Sequence, residues 1–145
     1  MATEINEITG SFASISWHDC ELLRIELLQI YDERRASSTI DVNPVVRAFE
    51  GKLVREKFRM DFNDCQFFAT SLDLPYLLSS RMSIDSALYY SEISEIKEDY
   101  LIEIIERYRG KNGHLLKNGP FFFFEMMEPG GEILIQASSF HINKY

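Results

Sequence analysis

Four consecutive phenylalanines, Phe121–Phe124, constrain the fold of this chain more than any other feature. Because successive side chains of a strand point to opposite faces, an unbroken aromatic run is typical of a strand that is covered on both sides, or partly covered by another element. The sequence Pro129-Gly130-Gly131 follows and predicts a tight turn. Residues 132–142 then return as a strand, so this region predicts a C-terminal β-hairpin.

The returning strand changes the parity of its apolar side chains part of the way along. Ile133 and Ile135 share one parity, whereas Phe140 and Ile142 have the other. A bulge at residues 138–139, which are both serine, would bring the two sets to the same face of the hairpin.

Three earlier segments alternate apolar and polar side chains with the period of two that is typical of a half-buried strand. They cover residues 21–30, 38–43 and 53–62, and we expect the first two to form an antiparallel hairpin. Asn63-Asp64 predicts a turn, and residues 65–72 are expected to return as a further strand. The apolar positions of the three segments are Leu23, Ile25, Leu27, Ile40, Val42, Phe58, Met60 and Phe62.

Residues 92–109 have the apolar spacing of an amphipathic helix. Ser91 is the expected N-cap, and Gly110 is expected to end the helix. The apolar side chains expected on its inner face are Ile93, Ile96, Tyr100, Leu101, Ile104, Ile105 and Tyr108. The acidic side chains expected on its outer face are Glu95, Glu98, Asp99, Glu103 and Glu106. Such an outer face is either simply solvated or a surface that binds a partner.

The length of 145 residues suits a single domain, residues 1–145. Strand segments separated by turn signals, together with one long helix and a terminal hairpin, favour segregated elements over a parallel sheet. The predicted fold class is α+β, with a mainly antiparallel sheet, one long amphipathic helix near residues 92–109 and the C-terminal hairpin. The predicted core contains Leu23, Ile25, Leu27, Phe58, Met60, Phe62, Ile104, Ile133 and Ile135.

Composition limits the partners and the compartment. The chain carries 15 basic and 23 acidic side chains, a formal net charge of −8, which disfavours nucleic acid and favours encounter with a basic partner. It has no apolar run near the roughly 20 residues that a membrane span requires, and its acidic start, residues 1–7, lacks the features of a secretory signal. Cys20 and Cys65 do not make a disulfide framework in a chain of this length. We therefore expect a cytoplasmic protein with reduced cysteines.

The only tryptophan, Trp17, stands directly before the first predicted strand and is followed by His18, Asp19 and Cys20. A His-Asp pair can exchange protons near neutral pH, and a neighbouring cysteine can act as a nucleophile. The other two histidines are scattered and do not have the spacing of metal ligands. We expect Trp17, His18 and Asp19 to have a structural role at the entrance to the strand, with neither a metal nor a cofactor bound.

The order of these elements resembles a group of protein families. Trp17-His18-Asp19 leads into a Leu/Ile strand, residues 58–62 and Asp64-Cys65 form the middle block, and an acidic helix precedes the closing hairpin. Over residues 17–142 this is similar to small bacterial families that open with a Trp/Phe-His-Asp motif, some of which are immunity proteins of polymorphic toxin systems. The resemblance implies a non-enzymatic binding protein, and it supplies no catalytic residues.

Three functions follow from these features. The first is a cytoplasmic immunity-type protein that neutralises a basic toxin through its acidic surface. The second is a small hydrolase-like enzyme that uses His18, Asp19 and Cys20. The third is a homo-oligomeric assembly module that dimerises through an exposed strand edge or through Phe121–Phe124.

Overall fold

The computed structural model of the protein describes residues 12, 15–30, 35–72, 82–109, 120–127 and 130–144. These residues form eight β-strands, one α-helix and a short 3-10 turn. The strands are β1 (Cys20–Ile30), β2 (Arg35–Asn43), β3 (Val45–Phe49), β4 (Lys52–Arg55), β5 (Phe58–Thr70), β6 (Met82–Tyr90), β7 (Phe121–Met126) and β8 (Glu132–Lys144). The 3-10 turn covers Ile93–Glu95, and the helix α1 covers Asp99–Arg109.

Six of the strands close into an antiparallel barrel in the order β1-β2-β5-β8-β7-β6. The prediction of an α+β fold with a long helix is therefore wrong, because the protein is mostly β and its helix is short. The ring closes where β6 pairs with β1, from Cys20 opposite Ile84 to Leu22 opposite Met82. This closing seam joins segments that are distant in sequence, and local periodicity does not reveal which strand edges meet.

Aromatic side chains fill the interior of the barrel. The ring of Phe122 lies at the centre of the cluster, with its centroid 4.9 Å from that of Phe62, 4.9 Å from that of Phe140 and 5.0 Å from that of Tyr89. Tilted and edge-to-face contacts of this kind add to the stability that comes from burying the rings. The same interior core contains Ala137 as well as Phe140, so side chains of both parities on β8 face the interior. The register shift of this ladder, however, lies between Cys65 and Phe67 of β5 and not at residues 138–139 as predicted.

A second core lies on the outer side of the barrel wall, beneath α1. Phe121 and Phe123 belong to it, whereas Phe122 and Phe124 belong to the interior core. The side chains that join them from the helix and from β8 are Leu101, Ile104, Ile105 and Leu134. The prediction that Phe121–Phe124 is covered on both faces is confirmed. All four side chains are buried within the chain, so they do not form an exposed dimer surface.

The helix begins later than predicted. Glu92 and Glu95 form a capping box that closes the 3-10 turn, and Ile96 is then extended, with φ −72° and ψ 123°. The amides of Leu101 and Ile102 both donate to the carbonyl oxygen of Glu98, which starts α1 at the next residue. Local capping therefore splits residues 92–109 into two short elements.

The inner face of the helix is also narrower than predicted. Tyr100 is 47% exposed, whereas Leu101, Ile104 and Ile105 are buried. With the helix starting at Asp99, Tyr100 lies in its first turn at the edge of the buried side. The predicted cap Ser91 instead bonds to the carboxylate of Glu95, and Gly110 lies outside the described residues.

The predicted turn at Asn63-Asp64 is wrong, because β5 runs without interruption from Phe58 to Thr70. Asp64 takes a φ of 50°, and a register shift follows between Cys65 and Phe67. The strand absorbs the turn-favouring residues as an irregularity and continues beside β8. The predicted strand over residues 53–62 is instead interrupted at residues 56–57, which separate β4 from β5.

The predicted core is confirmed at five positions and wrong at two. Met60, Phe62, Ile104, Ile133 and Ile135 are buried. Ile25 and Phe58 are half-buried and pack against the interior core. Leu23 and Leu27, however, are 41% and 53% exposed. A register shift between Leu22 and Arg24 explains the first error, because it places Leu22 in the core instead of Leu23.

The strands β3 and β4 form a separate two-stranded hairpin, which we call the arm. It continues from β2 and leads into β5, and Pro44 separates it from β2. The amide of Glu56 donates to the carbonyl oxygen of Pro44 at 3.2 Å, which holds the base of the arm together. The arm therefore leaves the barrel as an ordered hairpin.

Candidate functional site

The Trp17–Asp19 motif forms a corner that leads the chain into β1. The indole Nε1 of Trp17 donates to the carbonyl oxygen of Phe12 at 2.9 Å, and its ring packs edge-on against Phe124. The amide of Asp19 donates to the carbonyl oxygen of Ile84 at 3.0 Å, across the closing seam. Asp19 has a φ of 65°, a left-handed conformation that aspartate tolerates better than most residues.

The side chains of His18 and Asp19 lie in solvent at this corner. The Nδ1 atom of His18 is 3.3 Å from the backbone oxygen of Asp85 and 3.4 Å from its Oδ1 atom. The Nε2 atom is 3.7 Å from Oδ2 of Asp19. The His18 and Asp19 side chains are 67% and 60% exposed, so water screens these contacts and they contribute little stability.

Arg55, at the end of the arm, fixes the backbone of the corner. Its Nη1 atom donates to the carbonyl oxygens of Asp19 and Asn43, at 2.9 Å and 3.1 Å. Its Nε atom lies 3.4 Å from the carboxylate of Glu21, which is almost fully buried. The arm base, β1 and β2 are therefore joined through one guanidinium group.

Sequence reasoning identified the Trp17–Asp19 motif but missed Asp85 and Arg55. Asp85 is 67 residues from His18 in sequence, and Arg55 is 36 residues from Asp19. The seam between β1 and β6 brings Asp85 into contact, and the bend of the arm brings Arg55. No local pattern in the sequence signals either contact.

Cys20 points into the barrel and not toward His18. It is completely buried and belongs to the interior core. Burial raises the pKa of its thiol to about 12, whereas an activated nucleophile requires a lowered pKa. Burial also raises the pKa of Cys65. A hydrolase that uses His18, Asp19 and Cys20 gains no support from this geometry, and no group of three potential metal ligands occurs among the described residues.

Thiol labelling tests this environment. In a Cys65→Ser variant, we expect Cys20 to react with a water-soluble thiol reagent at least about a thousandfold more slowly in the folded state than in urea, because a core thiol is reached only through extensive opening of the fold. In a matched Cys20→Ala variant, the half-buried Cys65 should react faster than Cys20 does. A folded-state rate for Cys20 close to that of the unfolded chain would contradict the buried position.

The five acidic residues predicted to line one helix do not lie on one element. Glu95 is in the 3-10 turn, where its Oε1 atom accepts a bond from the amide of Glu92 at 2.9 Å. Glu98 accepts a bond from the hydroxyl of Tyr90 at 2.7 Å, which lowers the pKa of the Glu98 carboxyl. The structure places Asp99, Glu103 and Glu106 on α1, all exposed. The first two residues therefore have local structural partners, and the last three form the acidic part of the helix.

Two exposed apolar side chains interrupt this acidic part of the helix. Tyr100 is 47% exposed and Ile102 is 40% exposed. Partial burial, together with the charges of Glu125 and Glu98, raises the pKa of Tyr100. We call the surface formed by Asp99, Tyr100, Ile102, Glu103 and Glu106 the helix face. Because residues two apart on a helix do not face each other, Tyr100 and Ile102 lie on opposite edges of this face, with the carboxylates between them.

No protein-family model, curated protein or solved structure matches this chain. Among the described residues, no helix is long and apolar enough to span a membrane.

Proposed function

We propose that this protein acts by binding another protein in the cytoplasm and not by catalytic turnover, as an immunity-type protein that neutralises a basic toxin. The observation that carries this proposal is the helix face, where Tyr100 and Ile102 are exposed among carboxylates. An exposed tyrosine is a common anchor at protein interfaces, because its ring buries a large area with few rotatable bonds.

Charge indicates the chemistry of the partner. The formal net charge of −8 attracts a basic surface over long distances. Asp99 and Glu103 lie between the two apolar side chains of the helix face, so a matching partner carries lysine or arginine with apolar groups on either side. Carboxylates at an interface increase the association rate and the specificity for a partner more than they increase the affinity.

Reversing these charges tests the proposal. In a double variant, Asp99→Lys with Glu103→Lys, we expect association with a basic toxin that co-purifies with the parent chain to slow by about tenfold or more at low salt. The difference from the parent should narrow as salt rises, because salt screens exposed charges. Stopped-flow fluorescence over a salt series measures both effects.

A variant with the same net charge provides the matched control. Glu50→Lys with Asp85→Lys changes two exposed carboxylates outside the helix face. If attraction is local to the helix face, this control associates faster than the helix variant at low salt. Equal slowing in both variants would show that only total charge matters, and an unchanged rate in the helix variant would exclude the helix face as the contact surface.

A further inference from the structure

The arm exposes three large apolar side chains to solvent. Phe49 is 61% exposed, Leu53 is 66% exposed and Val46 is 42% exposed. An isolated two-stranded hairpin is marginally stable in water, but this one is held by Arg55 and by the bond from Glu56 to Pro44. Soluble proteins rarely keep such a protrusion uncovered unless it contacts another molecule.

The charge of the arm is opposite to that of the rest of the chain. Residues 45–57 contain four basic and two acidic side chains, which leaves 11 basic and 21 acidic side chains elsewhere. Lys52 lies directly opposite Phe49 in the hairpin. Arg47 shares their face, because it is two residues from Phe49 on the same strand. Phe49 is therefore flanked by two cations, both exposed.

We propose that the arm of one copy of this chain docks on the helix face of a second copy, so that two arm–helix contacts form a reciprocal dimer. The two surfaces have opposite charges. The arm presents Phe49 between Arg47 and Lys52, and the helix face presents Asp99 and Glu103 between Tyr100 and Ile102. The cations of the arm meet the carboxylates of the helix face, and Phe49 packs beside Tyr100 at its edge.

Charge also disfavours other binding partners of the arm. Pairing of two arms would place Arg47 and Lys52 of one copy beside those of the other, and juxtaposed like charges oppose association. A nucleic acid or an anionic membrane would attract the arm but would be repelled by the 21 acidic side chains of the remaining chain. A second copy supplies a complementary acidic surface at equal concentration.

The dimer is independent of the proposed toxin binding, although both use the helix face. In the dimer each helix face is covered, so a toxin would compete with self-association. Variants of the arm separate the two proposals, because they abolish the dimer and leave the helix face intact for a toxin.

Analytical ultracentrifugation of the full chain over a wide concentration series tests the dimer. We expect the parent to pass from one chain to two, and the exposed-residue variant Phe49→Ser to raise the dissociation constant by at least about tenfold. The matched control is Leu27→Ser, which removes a similarly exposed leucine from β1 and should dimerise as the parent does. Urea melts confirm that each variant is folded.

A charge exchange gives a second readout that loss of folding cannot imitate. The arm variant Arg47→Glu with Lys52→Glu and the helix variant Asp99→Lys with Glu103→Lys should each be monomeric alone. Their mixture should dimerise, because the acidic arm meets the basic helix face at one contact and the native pair is retained at the other. A parent that stays at one chain at every concentration, a dimer that survives the arm variants, or a mixture that stays monomeric overturns the proposal.

Discussion

Replacing Phe122 with alanine should lower the free energy of unfolding by about 3–5 kcal/mol. Phe122 is completely buried and its ring contacts those of Phe12, Phe62, Tyr89 and Phe140. A closed ring of paired strands cannot collapse easily around the missing ring, so most of the resulting cavity remains. Urea unfolding followed by circular dichroism measures the change.

Phe49→Ala is the matched control when both melts are run at a concentration at which the chain is monomeric, since it removes the same side chain from the exposed arm. We expect a change within about 0.5 kcal/mol. Similar losses in the two variants would contradict the placement of Phe122 at the centre of the interior core, or that of Phe49 in solvent.

Gly131→Ala should cost about 2–4 kcal/mol, the second large effect. Gly131 has a φ of 98°, and a Cβ atom added there would lie 2.3 Å from the backbone oxygen of Ser71. The amide of Met126 donates to the carbonyl oxygen of Gly131 at 2.8 Å, so the turn cannot move away without loosening the end of the β7–β8 hairpin. The steric conflict is with backbone on both sides, which limits relaxation.

Gly51→Ala isolates the contribution of the conformation alone. Gly51 has a φ of 75°, and nothing lies within 4 Å of the added Cβ atom. The expected loss is about 1–2 kcal/mol, which is the usual cost of a left-handed alanine. If the two alanine variants lose equal stability, the close approach of Ser71 to Gly131 does not contribute.

The parts of this fold that the sequence predicted depend on near neighbours in the chain. Alternation over residues 21–30 and 38–43 located β1 and β2, and the phenylalanine run with its glycine turn located β7 and β8. The errors arose where another interaction outweighed the pattern of apolar residues or the turn-favouring residues. The capping box at Glu92–Glu95 shortened the helix, and pairing with β8 carried β5 through Asn63-Asp64.

The candidate surfaces were predictable only in part, for the same reason. The acidic composition of residues 92–109 is visible in the sequence, but the exposure of Tyr100 depends on where α1 begins. The basic arm was not predicted. Residues 53–62 alternate as a single strand would, and Pro44 does not reveal that the chain leaves the barrel there. Asp85 and Arg55 reach the Trp17–Asp19 corner through contacts between distant segments, which periodicity does not encode.

The closing seam has a consequence for how the chain folds. Three pairs, from Cys20 opposite Ile84 to Leu22 opposite Met82, complete the ring, whereas β5 and β8 pair from Phe58 to Thr70. Contacts between distant segments form slowly, because the loop between them loses entropy before the contact is made. The long β5–β8 ladder faces the same entropic cost but gains many more bonds in return. We therefore expect ring closure at β1 and β6 to be a late step of folding, and amide hydrogens there to exchange with solvent through partial openings that leave the β5–β8 ladder intact.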